Sequence, residues 1–398
     1  MKMPDNKQAV QGFTASALSI GLKKNNALDL ALIFSEQEAT IAGVFTTNKV
    51  KAAPILLTKQ HIKNHKGHAI IVNAGNANAC TGARGLDDAY KTSSLVANLL
   101  GIHPEEVMVA STGVIGQPLN IPLIEKAIPA LVKNLSKTSI PRVAKAILTT
   151  DSFPKLSTRK GYIDEKPYQI TGIAKGAGMI MPNMATMLCF VLTDIRIDNE
   201  QINTALQAAV ETTFNRITVD GDTSTNDMVL VMANGMAENS HLTKDHLNSF
   251  IKSLEEVMGE LAQMIIQDGE GATKVIRIEV KGALTSADAI QAARTIANSS
   301  LVKTAFYGQD PNWGRIMAAL GRSGITMDEN TVDIWIDDIQ IVLHGLAVGP
   351  EEEKKAAVRM GQKEFALSIK LNQGYFQEQI LTCDLTHEYI NINANYRT

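Results

Sequence analysis

The stretch KGAGMIMPNMATML, residues 175–188, runs from a glycine-rich loop through three methionines and a proline into a threonine and then into apolar residues. The overlapping run MLCFVL, residues 187–192, is apolar throughout and predicts a strand buried on both faces, the kind found in the middle of a layered sheet. Thr186 then stands at the mouth of a central strand, a lone hydroxyl among small or apolar neighbours. Along the rest of the chain helical and strand periodicities alternate, which predicts mixed α/β layers.

Outward from that strand, an amphipathic helix is predicted over 243–266. Thr243 is its cap, and Leu247, Ile251, Leu254, Met258, Leu261 and Ile265 form one stripe. A second helix follows Asp198 and Asn199, with Ile202, Ala205, Leu206 and Ala209 on one face. A third starts near Leu86, carries Ala89, Val96, Leu99 and Leu100, and stops at Gly101. VIRIEV at 275–280 alternates as a strand with one wet face. VDIWIDDIQIVLHG at 332–345 predicts a hairpin about Asp337 and Asp338, without the glycine that a tight turn prefers. A weak break in composition at KGALTSADA, 281–289, sets an expected boundary between a main domain, 1–280, and a smaller α/β domain, 281–398.

The 398 residues are 45% hydrophobic and 20% charged, enough for a sizeable core and for two or three domains. A net charge of −3 with no lysine and arginine block argues against nucleic acid as a partner and leaves small molecules. Cys80, Cys189 and Cys383 lie too far apart for a CxxC pair, which points to a reduced, cytoplasmic setting. The opening MKMPDNKQAVQGF has no apolar core of a signal peptide, and no run approaches the roughly 20 apolar residues of a membrane span, so no membrane contact is expected.

Small-residue loops recur: NAGNANACTG (73–82), ASTGVIG (110–116), KGAG (175–178), DGDTSTND (220–227) and DGEGATK (268–274). Glycine lets backbone amides approach a ligand, and a Thr-Gly pair can aim a hydroxyl and an amide at a developing oxyanion, although turn chemistry explains any one such loop more often. Asp220, Asp222 and Asp227 offer oxygen ligands without the spacing of an EF-hand, which favours a turn or cap over a metal site. KGAG is not a Walker loop, because its lysine precedes the glycines. No G-x-S-x-G elbow and no HExxH pair occurs. A threonine that becomes the first residue of a chain brings its own base, since its α-amine, with a pKa of about 7.7–8.0, can take the hydroxyl proton. Thr186 would need a cut before it.

These motifs together resemble the ornithine acetyltransferase (glutamate N-acetyltransferase) family of arginine biosynthesis. The resemblance runs the length of the chain, through GVFTTN (43–48), NAGNANACTG, ASTGVIG, TTDSFPK (149–155), KGAGMIMPNMATML, DGDTSTND, DGEGATK, YGQDPNWGRI (307–316) and the terminal NINANYRT. It implies an α/β/β/α layered sandwich, similar in layering but not in topology to the N-terminal nucleophile hydrolases. It also implies self-cleavage between Ala185 and Thr186 into chains 1–185 and 186–398, and an assembly of two of each.

In the activity so implied, the Thr186 hydroxyl takes the acetyl group of N2-acetylornithine, releases ornithine and passes the acetyl group to glutamate. Thr112 and Gly113 would hold the oxyanion. Thr150, Lys175, Thr186, Glu270, Asn393 and Thr398 would bind substrate, so the C-terminus would fold back to the site. Lys175 would pair with a substrate carboxylate or depress the Thr186 amine by like charge, and Glu270 would face an ammonium. Taken alone, Lys175 reads as a solvated loop lysine and Glu270 as a turn carboxylate; the resemblance reverses both. No cofactor and no metal is implied, with acetyl-CoA left open as a second acetyl donor. An amidohydrolase or aminopeptidase using Thr186 with water as acceptor is the rival enzyme, and an uncleaved binding protein the rival of another class. Trp313 and Arg315 could line the pocket or pair internally, Cys189 reads as a core residue, and Cys80 has no assigned role.

Overall fold

The structure, a computed structural model, describes residues 9–24, 26–181 and 187–395. One sheet among these is built from β1 (Phe13–Leu18), β2 (Leu30–Phe45), β3 (Lys66–Asn76), β4 (Val107–Val114), β5 (Lys155–Ile163), β6 (Lys166–Lys175), β7 (Leu188–Thr193) and β8 (Met228–Ala233). The helices in the same part of the chain are α1 (Ala53–His61), α2 (Gly82–Leu100), α3 (Ile121–Lys133), α4 (Ile140–Ala146), α5 (Asn199–Thr212) and α6 (Lys244–Gln267).

The long strand β2 makes the sheet into two layers. Its first part pairs with β1 and β3, its register breaks between Phe34 and Ala39, and its last six residues pair with β8. One layer is then β1, the start of β2, β3 and β4. The other is the end of β2 followed by β8, β7, β6 and β5. Between them lies a core of Ile33, Ile70, Val72 and Met108 from the first layer against Phe190, Leu192, Leu230 and Met232 from the second. The outer face of the first layer packs on α2 and α3 through Leu32, Ile71, Val96, Ile124 and Leu131. The outer face of the second packs on α5 and α6 through Val191, Val231, Leu206, Leu254 and Leu261. Helix, sheet, sheet, helix is the layering expected above. Strand β7 is buried along its whole length between β6 and β8, as its unbroken apolar run requires.

Local chemistry sets the helix ends. Thr243 Oγ1 accepts from His246 N at 3.2 Å to cap α6, and Asp198 Oδ1 accepts from Gln201 N at 2.8 Å to cap α5. Two details differ from expectation. Helix α2 begins at Gly82, four residues before Leu86, and leaves Leu86 and Leu99 exposed while Ala89, Val96 and Ala97 are buried. Gly85, Thr92 and Ser93 are buried with them, and Leu95 and Leu100 are partly covered against the same core. On α6 the buried stripe is carried further by Phe250, Val257 and Ile266, with Leu247 and Ile251 only partly covered.

The C-terminal sheet orders β12, β11, β10, β13, β9 and β14, where β9 is Val275–Ala283, β10 Asp333–Ile336, β11 Ile339–Leu343, β12 Leu346–Ala347, β13 Glu364–Lys370 and β14 Phe376–Cys383. Helices α7 (Ser286–Ala297), α8 (Ser300–Tyr307), α9 (Trp313–Gly321) and α10 (Pro350–Met360) share its core, and α11 (His387–Asn395) ends the described chain. Strand β9 is hydrogen-bonded into this second sheet, although the composition break lies at its far end. The β10–β11 turn pairs Ile336 with Ile339, and Asp337 takes the left-handed conformation in place of a glycine, which aspartate tolerates. No helix among the described residues is long and apolar enough to cross a membrane.

Phe190 is fully buried in the core between the two layers. Its replacement by alanine should destabilise the protein by about 3–5 kcal/mol, read as a lower midpoint in chemical denaturation with little change in slope.

Candidate active site

Strand β6 ends at Lys175, which pairs with Leu188 at the start of β7, so the intervening segment leaves and re-enters the sheet at one point. Strand β8 starts alongside β7, with Leu188 opposite Met228, and β4 carries Thr112 and Gly113 just before its last residue, Val114. These strand ends surround a cavity of about 250 Å³. On its wall stand Thr112, Gly113, Thr150, Lys175, Glu270 and Asn393, six residues brought there by five separate stretches of the chain. Met187, the residue after Thr186, also lines it. Ala185, Thr186 and Thr398 lie outside the described residues.

Contacts among these residues and their neighbours hold five of the six in place. Gly113 has a φ of 131°, and a Cβ there would come within 2.5 Å of backbone atoms of Gly75 and Asn76, so only glycine lets β4 close against β3 at this point. Next to it, Asn226 Nδ2 donates to Ser111 O at 2.8 Å and to Ala77 O at 2.6 Å, tying the 220–227 loop to the ends of both strands. Lys175 Nζ reaches Thr112 Oγ1 at 3.4 Å. Glu270 accepts from Asn393 Nδ2 at 2.7 Å, and its own N–H donates to Ala177 O. Gly178 leaves the room that the Glu270 carboxyl occupies, since a Cβ would fall 2.4 Å from it.

Two aspartates hold the loops themselves. Asp220 accepts from Met179 N at 2.6 Å and from Ile180 N at 2.8 Å, and the Tyr389 hydroxyl donates to it at 3.3 Å. Burial raises the Asp220 carboxyl, and these amides pull the other way. Gly271 has a φ of 70°, and a Cβ there would meet Tyr389 N at 2.5 Å, so the start of α11 lies directly on the glycine turn that carries Glu270. Asp151 accepts from Gly176 N at 2.6 Å and from Lys155 Nζ at 2.8 Å, and Lys155 Nζ donates also to Asp268 at 2.5 Å. Lys155 and Asp151 have no exposed side-chain surface. Burial drives the Asp151 carboxyl up, but the charges of Lys175 and Lys155 outweigh it and hold the group at about 2.

A profile of the ArgJ family matches residues 14–398. The arginine biosynthesis bifunctional protein ArgJ of Geobacter sulfurreducens is 49% identical over 391 residues, 98% of this chain and 100% of that protein. The protein of the same name from Syntrophotalea carbinolica is 50% identical over 98% of this chain and 99% of its own length. The chain belongs to the ArgJ family. Among solved structures, a chain of the bifunctional protein from Bacillus halodurans is 46% identical with a TM-score of 0.50, covering 52% of this chain and 98% of its own. ArgJ membership makes the protein an acyltransferase of arginine biosynthesis.

Other residues singled out in the sequence stand apart from the ArgJ cavity. Trp313 Nε1 donates to Glu353 and Arg315 to Leu301 O, so that motif is paired internally. Cys189 is fully buried, and burial pushes its thiol up. Cys80 is exposed and not on the cavity wall. Among the described residues no cluster of three or more histidine, cysteine, aspartate or glutamate side chains could hold a metal ion. Conversely, the ion group of Asp151, Lys155 and Asp268, and the wall residues Tyr389 and Asn226, were not singled out as parts of a site, and Asp227 was weighed only as an oxygen ligand and read as a turn or cap residue. Asp151 and Lys155 sit four apart in TTDSFPK, but nothing in the spacing says that Asp268, more than a hundred residues later, completes them.

Lys155→Met leaves two carboxylates buried without their cation and should cost about 3–5 kcal/mol in denaturation experiments. Asp151→Asn isolates the pH term. The folded-state value of Asp151 is below its unfolded one, so its contribution, on the order of 2 kcal/mol, is fully present above about pH 4 and is lost as pH falls toward 2. The stability gap between wild type and this variant should therefore narrow over that window.

Proposed function

We propose that this ArgJ member cleaves itself between Ala185 and Thr186 and then transfers acetyl groups from N2-acetylornithine to glutamate through an acetyl ester on Thr186. The observation that carries the reading is the convergence of Thr112, Gly113, Thr150, Lys175, Glu270 and Asn393 on one small cavity, with Met187, next to Thr186, on its wall. A cavity of about 250 Å³ suits an acylated amino acid better than a polypeptide. Lys175 and Glu270 offer it one charge of each sign, as a substrate bearing both a carboxylate and an ammonium requires. The half-length match of the Bacillus halodurans chain, set beside relatives that match end to end, further supports a chain that is divided in two.

In the precursor, the Thr186 hydroxyl attacks the Ala185 carbonyl, the acyl group moves from nitrogen to oxygen, and water hydrolyses the ester. The free α-amine then takes the hydroxyl proton as Thr186 attacks the acetyl group; ornithine leaves with its amine protonated, and glutamate's α-amine attacks the acetyl ester in the second half. The Thr112 hydroxyl and the Gly113 amide, at the end of β4, would hold the oxyanion in each step. Lys175 beside Thr112 adds positive charge to that end of the cavity. Two copies of each chain form the proposed assembly, and the name bifunctional borne by the relatives is the support for acetyl-CoA as a second donor.

Thr186→Ala should leave a single band on a denaturing gel where the wild type gives chains 1–185 and 186–398, and should abolish transfer. Cleavage persisting at that bond in the variant would assign the cut to another protease. Thr112→Ala should slow both processing and turnover by a factor of about 100 or more, equivalent to roughly 3–4 kcal/mol of barrier, measured by gel time course and by ornithine release. Acetate release that does not need glutamate would favour the hydrolase instead.

A further inference from the structure

Thr150 stands on the cavity wall in a stretch, residues 147–154, that belongs to no helix or strand, so its place is set by what grips the chain on either side. On one side is Asp151, whose carboxylate takes Gly176 N and Lys155 Nζ in the buried ion group. On the other is a residue from near the start of the chain. Lys23 Nζ donates to Ala146 O and to Leu148 O, both at 3.0 Å. These carbonyls lie at and just past the end of α4, where a helix leaves acceptors without an internal partner. The Lys23 ammonium also feels the charges of Asp151 and Lys175, so its grip adjoins the ion group.

Lys23 is itself fixed. Asp29 is fully buried, and its carboxylate accepts from four consecutive backbone amides: Ile20 N at 2.7 Å, Gly21 N at 3.1 Å, Leu22 N at 2.7 Å and Lys23 N at 3.0 Å. Amides curled about one anion define a turn, and here the anion is a side chain of the same segment. The turn lies on the end of β3: Gly75 has a φ of 103°, and a Cβ there would fall 2.6 Å from Leu22 O and 3.1 Å from Lys23 Cγ. Gly75 pairs with Gly113 across β3 and β4, which sets the turn against the strand ends that open on the cavity. One glycine of NAGNANACTG thus gives Lys23 room behind the wall.

We propose that Lys23 is a positioning residue for substrate binding: by holding the Ala146 and Leu148 carbonyls it sets where Thr150 meets the substrate, and Asp29 holds Lys23 for that task. The proposal rests on the reading above, in which the cavity takes N2-acetylornithine and Thr150 is one of the residues that bind it. Lys23 acts through the backbone, with only Thr149 between Leu148 and Thr150. Thr112 and Gly113, on β4, are gripped separately by Asn226 at Ser111 O. A misplaced Thr150 therefore weakens binding while the donors for the oxyanion stay where they are, and such a loss raises KM and leaves kcat.

Lys23→Met keeps the stem and removes the donors. The variant should process into two chains at a rate within about twofold of wild type, and its KM for acetylornithine should rise about fivefold or more with kcat changed less than about twofold. Thr150→Ala should raise KM on its own, and adding Lys23→Met to it should change little further, because two substitutions that act through one contact are not additive. Amide hydrogen exchange in peptides covering 147–150 should quicken in Lys23→Met. Asp29→Asn loosens the turn one step further back and should raise KM in the same sense, again with little effect in the Thr150→Ala background, so the proposal stays open to test even if Lys23→Met does not fold. An unchanged KM in Lys23→Met beside a raised KM in Thr150→Ala would overturn the proposal and leave the reading of the cavity standing. So would a double variant in which the two single effects multiply, a loss shared equally by kcat and processing, or exchange at 147–150 as slow as in wild type. Thr150→Ala with the KM of wild type would instead strike the role of Thr150 itself, and the proposal with it.

Discussion

Lys155, an ammonium with no exposed surface, lies between the carboxylates of Asp151 and Asp268, and the cavity depends on that contact. Removing three charges from water costs several kcal/mol per ion, and the arrangement holds only because the remaining lone pairs are also met. Asp151 takes the amides of Thr149 and Gly176, and Asp268 takes the amide of Ser152 on both oxygens. With the charge of Lys175 nearby, two carboxylates face two ammonium groups. What this fixes is the relative position of three stretches of chain. Thr150 precedes Asp151, Lys175 precedes Gly176, and Glu270 follows Asp268 by two residues, so three wall residues are bonded, directly or nearly so, to members of one buried ion group.

The sandwich supplies the frame in which such a group can be buried. Because β2 belongs to both layers, the end of β4 in one layer and the ends of β6, β7 and β8 in the other open on the same space. The loops joining them carry glycine where backbone must meet backbone, at Gly113 against β3 and at Gly271 against α11. The C-terminal unit then contributes α11, whose Asn393 and Tyr389 reach Glu270 and Asp220. The polar wall is thus built from both halves of the chain, and a division at residue 185 would leave each half holding part of it.

Electrostatics differ from one carboxyl to the next within this small volume. Asp151 is held low by paired ammonium groups, Asp220 is raised by burial against its backbone amides, and Asp227 is raised further with one oxygen unpaired. Three aspartates with the same intrinsic chemistry are therefore shifted differently, because each has different charges and donors within reach to set against its burial.

Periodicity and composition alone determined that the chain is mixed α/β, and the layered sandwich came from the family resemblance. The unbroken apolar run at 187–192, the stripe from Leu254 to Ile265 and the caps at Thr243 and Asp198 are local features, and local hydrogen bonding and burial realise them without reference to the rest of the chain. The ordered motifs determined the family and, by resemblance, named six residues that the structure gathers on one wall. Tertiary structure alone decided that β2 would bend and serve two layers, that β9 would join the second sheet, and that Lys155 would meet Asp268. It also decided that one carboxyl oxygen of Asp227, Oδ2, would be buried without a donor among the described residues. Each of these depends on contacts between residues tens to hundreds of positions apart, and their energy comes from geometry and desolvation that no spacing along a sequence records.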